Sequence, residues 1–208
     1  MKKLFLASNA YKVLDKFVEL LDSPPSDLIV AFIPTAADVY KDKTFIDEDR
    51  NKLTELGFKI LEINISGKTE KTLREKFKDV DIIFVAGGNT FYLLEKTLSS
   101  GFDKIIKEHV KKGKYYIGSS AGSVIAGTSI EPVKPIDDPT KAPNLKSFNG
   151  LNLIDKIILP HYGNEKYQEK INKILNDYTH SNVKIIKLTD NQALFVEGKM
   201  LKVITSDD

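Results

Sequence analysis

Tyr115-Tyr116-Ile117-Gly118-Ser119-Ser120-Ala121-Gly122-Ser123-Val124-Ile125-Ala126 runs from a short apolar segment through a glycine-flanked serine turn into a helix-compatible segment. The turn matches G-x-S-x-G with Ser120 at its centre. A serine on a sharp strand-to-helix turn is pushed out of the end of a sheet, and the flanking glycines keep side chains from crowding it. The helix behind it aims backbone N–H groups at negative charge developing nearby. The same strand-then-helix alternation extends in both directions. Residues 4–7, 28–33, 58–65, 82–86, 157–159 and 183–188 read as strands. Stretches at 9–21, where Ser8 or Asn9 can cap a helix with 3.6-residue apolar spacing, and at 44–56, 73–80, from 89, 103–112 and 165–178 read as helices. This pattern predicts β–α–β units and a mostly parallel sheet. A β-hairpin, 193–196 and 201–204 around Gly198-Lys199, closes the chain.

The 208 residues suit a single domain spanning 1–208. With 31 basic and 29 acidic residues the net charge is +2, which supplies no field for nucleic acid or an anionic membrane. Apolar runs of about half a dozen residues, such as 28–33, fall far short of the roughly 20 that cross a bilayer. The apolar start breaks at Ser8-Asn9 before any signal-peptide core forms, so a cytoplasmic protein is expected. The absence of cysteine excludes disulfides, thiolate metal sites, iron–sulfur clusters and a thiol nucleophile. Covalent chemistry here must come from an oxygen or an amine. There is no P-loop, dinucleotide-binding glycine fingerprint or H-E-x-x-H, and neither metal nor cofactor is implied.

A serine hydroxyl needs a proton acceptor to be a useful nucleophile near neutral pH. Of the three histidines, His109 lies in a charged helical stretch, as a solvated or boundary residue, and His180 at a helix C-terminus. His161 follows Ile157-Ile158-Leu159-Pro160, at the carboxyl end of a strand, where open α/β sheets place their sites. Asp190, just past the strand at 183–188, is the carboxylate that can orient His161, its other reading being an Asx turn that opens the hairpin. Glu131, Asp137 and Asp138 compete for that role from a flexible loop. Gly87-Gly88-Asn89-Thr90 ends another strand, so the Gly88 N–H can face that of Ala121 as an oxyanion hole, with Asn89 or Thr90 capping a helix. Residues 131–150 hold four prolines and no periodicity, which fits a lid or binding loop.

Four segments carry a family resemblance: Phe84-Val85-Ala86-Gly87-Gly88-Asn89-Thr90-Phe91, Gly118 to Ser123, Asn152-Leu153-Ile154 running to Pro160-His161, and Leu188-Thr189-Asp190. In this order the chain resembles the dipeptidase E (aspartyl dipeptidase) and cyanophycinase-like serine peptidases over most of its length. The resemblance implies a three-layer, doubly wound, class I glutamine-amidotransferase-like (flavodoxin-related) α/β fold. It implies metal-free cleavage of short peptides, those with an acidic N-terminal residue among them, through an acyl-enzyme. Ser120 matches the nucleophile, His161 the base, Asp190 the acid, and Gly88 and Ala121 the oxyanion donors. Asn89, Tyr162 and Tyr167 fall where substrate contacts are expected. The best-known members use a glutamate as the acid. Aspartyl dipeptidases also carry an arginine near the position of Tyr167, and this sequence has none after Arg74. Mechanism therefore transfers better than substrate preference. A non-catalytic small-molecule-binding or regulatory protein on the same fold is the alternative. An α/β-hydrolase esterase fits less well, because its chain order is serine, acid, histidine. Expected partners are a short peptide, neither nucleic acid nor membrane, and a monomer or homodimer.

Overall fold

Five short apolar segments lie side by side and parallel in the computed structural model, which describes residues 1–181 and 183–206. They are β1 (Lys3–Ala7), β2 (Ile29–Ile33), β3 (Lys59–Glu62), β4 (Ile82–Val85) and β5 (Tyr115–Ser119), in the spatial order β3-β2-β4-β5-β1. Two further strands, β6 (Ile157–Leu159) and β7 (Ile185–Lys187), pair parallel with each other in a separate small sheet. The closing hairpin, β8 (Gln192–Glu197) and β9 (Met200–Thr205), extends the main sheet from β1, with β8 antiparallel to it.

The helices are α1 (Leu14–Val18), α2 (Thr44–Glu55), α3 (Glu70–Lys76), α4 (Thr90–Ser99), α5 (Phe102–Lys111), α6 (Ala121–Ala126) and α7 (Gln168–Asp177). Side chains alternate across each strand, so the sheet feeds two separate cores. Leu4, Leu6, Ile33, Val85 and Tyr116 join α3 to α7 on one side through Leu73, Phe91, Phe102, Val124 and Ile171. Phe5, Val30, Phe32, Phe84 and Ile117 meet Phe17, Ile46 and Leu53 of α1 and α2 on the other. The result is three layers around a mostly parallel sheet. No helix among the described residues is long and apolar enough to cross a membrane.

Three features differ from expectation. The helix expected at 9–21 is broken into a single 3-10 turn (Ala10–Lys12) followed by α1, and neither Ser8 nor Asn9 caps it. The Ser8 hydroxyl is instead committed to His161 and Asp190. The strands at 157–159 and 183–188 do not join the main sheet, because β8 already occupies the free edge of β1. The segment at 131–150 is not a loose loop: it has two 3-10 turns and is tied to α4. Thr90 N–H and Oγ1 both donate to Asp137 Oδ2, Asn144 N–H donates to Glu95 Oε2 at 2.7 Å, and Phe148 meets Phe91 edge-on at 5.4 Å.

α6 lies against β4 with no room for a side chain. A Cβ at Gly122 would stand 2.1 Å from the Val85 carbonyl oxygen, and both partners are backbone. Gly122→Ala is expected to lower the free energy of unfolding by about 1–3 kcal/mol or more, read as a fall in the urea midpoint.

Candidate active site

β1 and β5 are neighbours in register, Ala7 opposite Ser119, so the residues that follow them emerge together. Ser120 adopts φ 47 and ψ −107, a conformation rare for a residue with a Cβ. Its N–H donates to the Ala7 carbonyl at 3.1 Å. The helix start below is secured by Ser123 Oγ donating to the carbonyls of Ala7 and Gly118, and by Tyr116 OH donating to that of Gly122.

The small β6–β7 sheet places the next two groups. Leu159 is opposite Lys187, so His161 and Asp190 leave the sheet on the same side, and Tyr162 N–H donates to the Leu188 carbonyl at 3.0 Å. Ser120 Oγ lies 2.9 Å from His161 Nε2, and His161 Nδ1 lies 2.6 Å from Asp190 Oδ1. His161 itself has φ +62. Its N–H donates to Ser8 Oγ at 2.8 Å, and the Ser8 hydroxyl donates to Asp190 Oδ1 at 3.0 Å. Asn164 Nδ2 donates to the other Asp190 oxygen at 2.6 Å. The Tyr167 ring stacks on the imidazole with centroids 4.7 Å apart.

Gly88 has φ +138, and a Cβ there would strike the Ala36 backbone at 2.3 Å. The N–H groups of Gly88 and Ala121 find no acceptor among the described residues. Ser120, His161 and Asp190 open on a cavity of about 560 Å³ whose wall includes Gly88, Tyr40, Phe45, Val124, Val133 and Tyr167.

The other expected residues divide. Tyr167 is on the cavity wall, but Asn89 and Tyr162 are not. Asn89 is buried, its side chain accepting from Tyr92 N–H and donating to the Asp138 carbonyl, so it caps α4 rather than contacting a ligand. Tyr162 packs against the core with the Lys187 ammonium over its ring. His109 is buried rather than solvated, with Nε2 3.1 Å from the Tyr115 carbonyl. Burial, then the nearby Lys114 charge, press its pKa down to about 4. Asp138 and Glu131 are exposed and serve local turns. Asp137 lines the cavity. Sequence reasoning assigned no site role to Ser8 or Asn164. Asn164, three residues after His161, is within reach of a loop partner, but asparagines after strands are too common to single out.

The carboxylates differ sharply. Burial opposes ionisation of Asp190 but is outweighed by hydrogen bonds from His161 and Asn164, the imidazole charge and the Ser8 hydroxyl, leaving it well below the usual range. Asp49, on α2 beneath Ser119, is buried and pushed up to about 7 against hydrogen bonds from Ser119 and the Tyr11 N–H. Among the described residues, no group of three or more metal-ligating side chains is gathered.

The model for peptidase family S51 matches residues 4–204. An uncharacterised peptidase of Listeria monocytogenes serovar 1/2a is 37% identical over 205 residues, covering 99% of this chain and 98% of that one. An uncharacterised peptidase of Pasteurella multocida is 36% identical over 96% of this chain and 95% of its own. A peptidase E of Shewanella denitrificans matches 64% of this chain and 53% of its own length at 37% identity. A crystal structure from L. monocytogenes EGD-e superposes with a TM-score of 0.92 at 34% identity, covering 99% of this chain and 98% of that one.

Two outcomes test this geometry. Replacing Ser120 by glycine relieves the backbone conformation, so Ser120→Gly should unfold at about 1 kcal/mol higher free energy than Ser120→Ala, read by urea denaturation. The folded-state pKa of Asp49 lies above its ordinary 3.8, so the folded chain holds an extra proton between that value and about 7. Stability from this group is present below the window and lost as pH rises through it, by up to about 1.4 kcal/mol per pH unit. Asp49→Asn should flatten that slope in denaturation measured from pH 4 to 8.

Proposed function

The chain belongs to peptidase family S51, and we propose that it is a serine-type exopeptidase acting on short peptides through an acyl-enzyme. The observation that carries this reading is the unbroken relay from Ser120 Oγ to His161 Nε2 at 2.9 Å and from His161 Nδ1 to Asp190 at 2.6 Å. Ser120 Oγ attacks the scissile carbonyl carbon while its proton passes to His161 Nε2. Asp190, ionised and held on three sides, fixes the tautomer and steadies the imidazolium. The N–H groups of Gly88 and Ala121 receive the oxyanion, each contributing about 3 kcal/mol to lowering the barrier. The C–N bond then breaks as His161 returns the proton to the leaving amine. Water, deprotonated by the same imidazole, adds to the ester carbonyl, and collapse releases the acid and restores Ser120.

The size of the cavity and the strap at 131–150 that walls it favour a short peptide over a polypeptide passing through. An acidic N-terminal side chain would find only Lys166 and Lys170 on the wall, point charges without the two-pronged geometry of arginine. The reading therefore favours substrates with neutral N-terminal side chains.

Ser120→Ala should remove hydrolysis of a dipeptide and tripeptide panel, a loss of about 10³-fold or more, with the thermal midpoint close to that of the wild type. A fluorophosphonate should label the wild type at Ser120 alone. Asp190→Asn should lower kcat by about 10⁴-fold. Wild-type turnover in the Ser120→Ala enzyme would overturn the reading.

A further inference from the structure

We propose that Asp137 receives the α-ammonium group of the substrate's N-terminal residue and so makes the enzyme specific for peptides with a free amino terminus. The inference rests on the peptidase reading above. Asp137 belongs to the strapped segment, is half-buried, and lines the same cavity as Ser120 and His161. One of its oxygens, Oδ2, takes both the Thr90 N–H at 2.9 Å and the Thr90 hydroxyl at 2.5 Å. The other, Oδ1, has no hydrogen-bond partner, and no cation pairs with Asp137 among the described residues. Tying down the strap uses one oxygen. It does not account for a second, uncommitted oxygen on the wall of a cavity, where leaving a carboxylate short of partners is costly.

Spacing along the chain supports the assignment. Thr90, which fixes Asp137, is two residues beyond Gly88, whose N–H is the oxyanion donor in the proposed mechanism. Two residue steps span at most about 7.6 Å. In a peptide cleaved at its first bond, the α-nitrogen is two covalent bonds from the attacked carbon, hence about 3 Å from the carbonyl oxygen. A hydrogen bond of about 2.8 Å from that ammonium to a carboxylate fits within the span. An oxygen bound at Gly88 thus places the ammonium in the part of the cavity that Gly88, Thr90 and Asp137 line together. The wall also has the right sign, since the carboxylates of Asp42, Asp137 and Asp190 outnumber the ammonium groups of Lys166 and Lys170. An ammonium is welcomed there, while an N-acylated terminus leaves Asp137 unmatched.

The test compares Ala-Ala, Leu-Ala and Leu-Ala-Ala, each as the free amine, the Nα-methylamine and the Nα-acetyl derivative, with products followed by chromatography. The wild type should cleave acetylated peptides at least about 100-fold less efficiently in kcat/KM than free ones, and should tolerate the still-cationic methylamine. Asp137→Asn keeps an acceptor for Thr90. It should raise KM for free-amine peptides at least about tenfold and narrow the free-to-acetyl ratio by a similar factor. A purely structural role would instead lower the thermal midpoint and depress both substrate types alike. Equal cleavage of free and acetylated peptides by the wild type overturns the inference, and so does a folded Asp137→Asn enzyme with an unchanged ratio. Should Asp137→Asn not fold, the wild-type comparison decides alone. If the wild type cleaves nothing and the fluorophosphonate leaves Ser120 unlabelled, the peptidase reading itself falls, a result distinct from indifference to acetylation.

Discussion

The contact on which the rest depends is the one between the first turn of α6 and the carboxyl ends of β4 and β5, where no side-chain atom fits. Gly122 presses on the Val85 carbonyl and Gly118 on the Ser123 amide, each closer than a Cβ would permit. With α6 unable to retreat, the chain must reverse within a single residue, and Ser120 takes φ 47. A conformation of that kind costs about 1–3 kcal/mol and persists only when its surroundings over-determine it. Here they do, through the hydrogen bonds from Ser120 and Ser123 to the Ala7 carbonyl and from Tyr116 to Gly122. Because β1 lies beside β5, the same packing brings Ser8 level with Ser120.

A second device, the β6–β7 pair, acts as a caliper. Its parallel register sets the spacing of two loop residues that would otherwise depend on two independent turns. Ser8 then links this caliper to the main sheet by accepting from the His161 amide and donating to Asp190. The site is therefore assembled from two sheets that share no strand hydrogen bonds among the described residues, with the hydroxyls of Ser8 and Ser120 reaching from the main sheet to His161 and Asp190 beyond the small one. The carboxylates around it are tuned apart by the same local physics. Asp190 gathers donors on both oxygens and stays ionised, whereas Asp49 is buried with fewer donors and titrates near neutrality.

The strand-end positions of Ser120, His161 and Asp190 were legible because each follows an apolar run long enough to mark where a strand stops. What the runs did not carry was partner choice. Three residues such as Ile157-Ile158-Leu159 have the side chains of a buried strand, but which edge they join is settled by the β8 hairpin, far along the chain. The broken helix at 9–21 shows the converse: its apolar spacing survives as burial of Val13, Leu14 and Phe17, while tertiary demand on Ser8 removes the cap. Asn89 sits beside a glycine turn and looked available to a ligand, yet its two side-chain bonds are spent within the fold. Tyr162 follows His161, but the backbone turn at φ +62 sends consecutive side chains apart. Periodicity could not find the role of the proline-rich segment, because its ties to α4 run through a few polar atoms and one ring at irregular spacing.

That segment decides how the cavity meets a ligand. About thirty residues separate α6 from β6, and closing a loop of that length costs about 3 kcal/mol in chain entropy before any residue is ordered. Charge-assisted bonds at Asp137 and Glu95 contribute about 1.5–3 kcal/mol each. Burial of Ile130, Val133, Leu151, Leu153 and Ile154 contributes about 1.5–3 kcal/mol for each side chain. These terms exceed the closure cost and go toward offsetting the entropy lost in ordering the backbone. A wall already ordered does not have to be ordered again on binding, so contacts made along it appear in affinity with little deduction. The segment that reads as a lid in the sequence is thus a built side of the cavity, and discrimination between ligands falls to the groups fixed upon it.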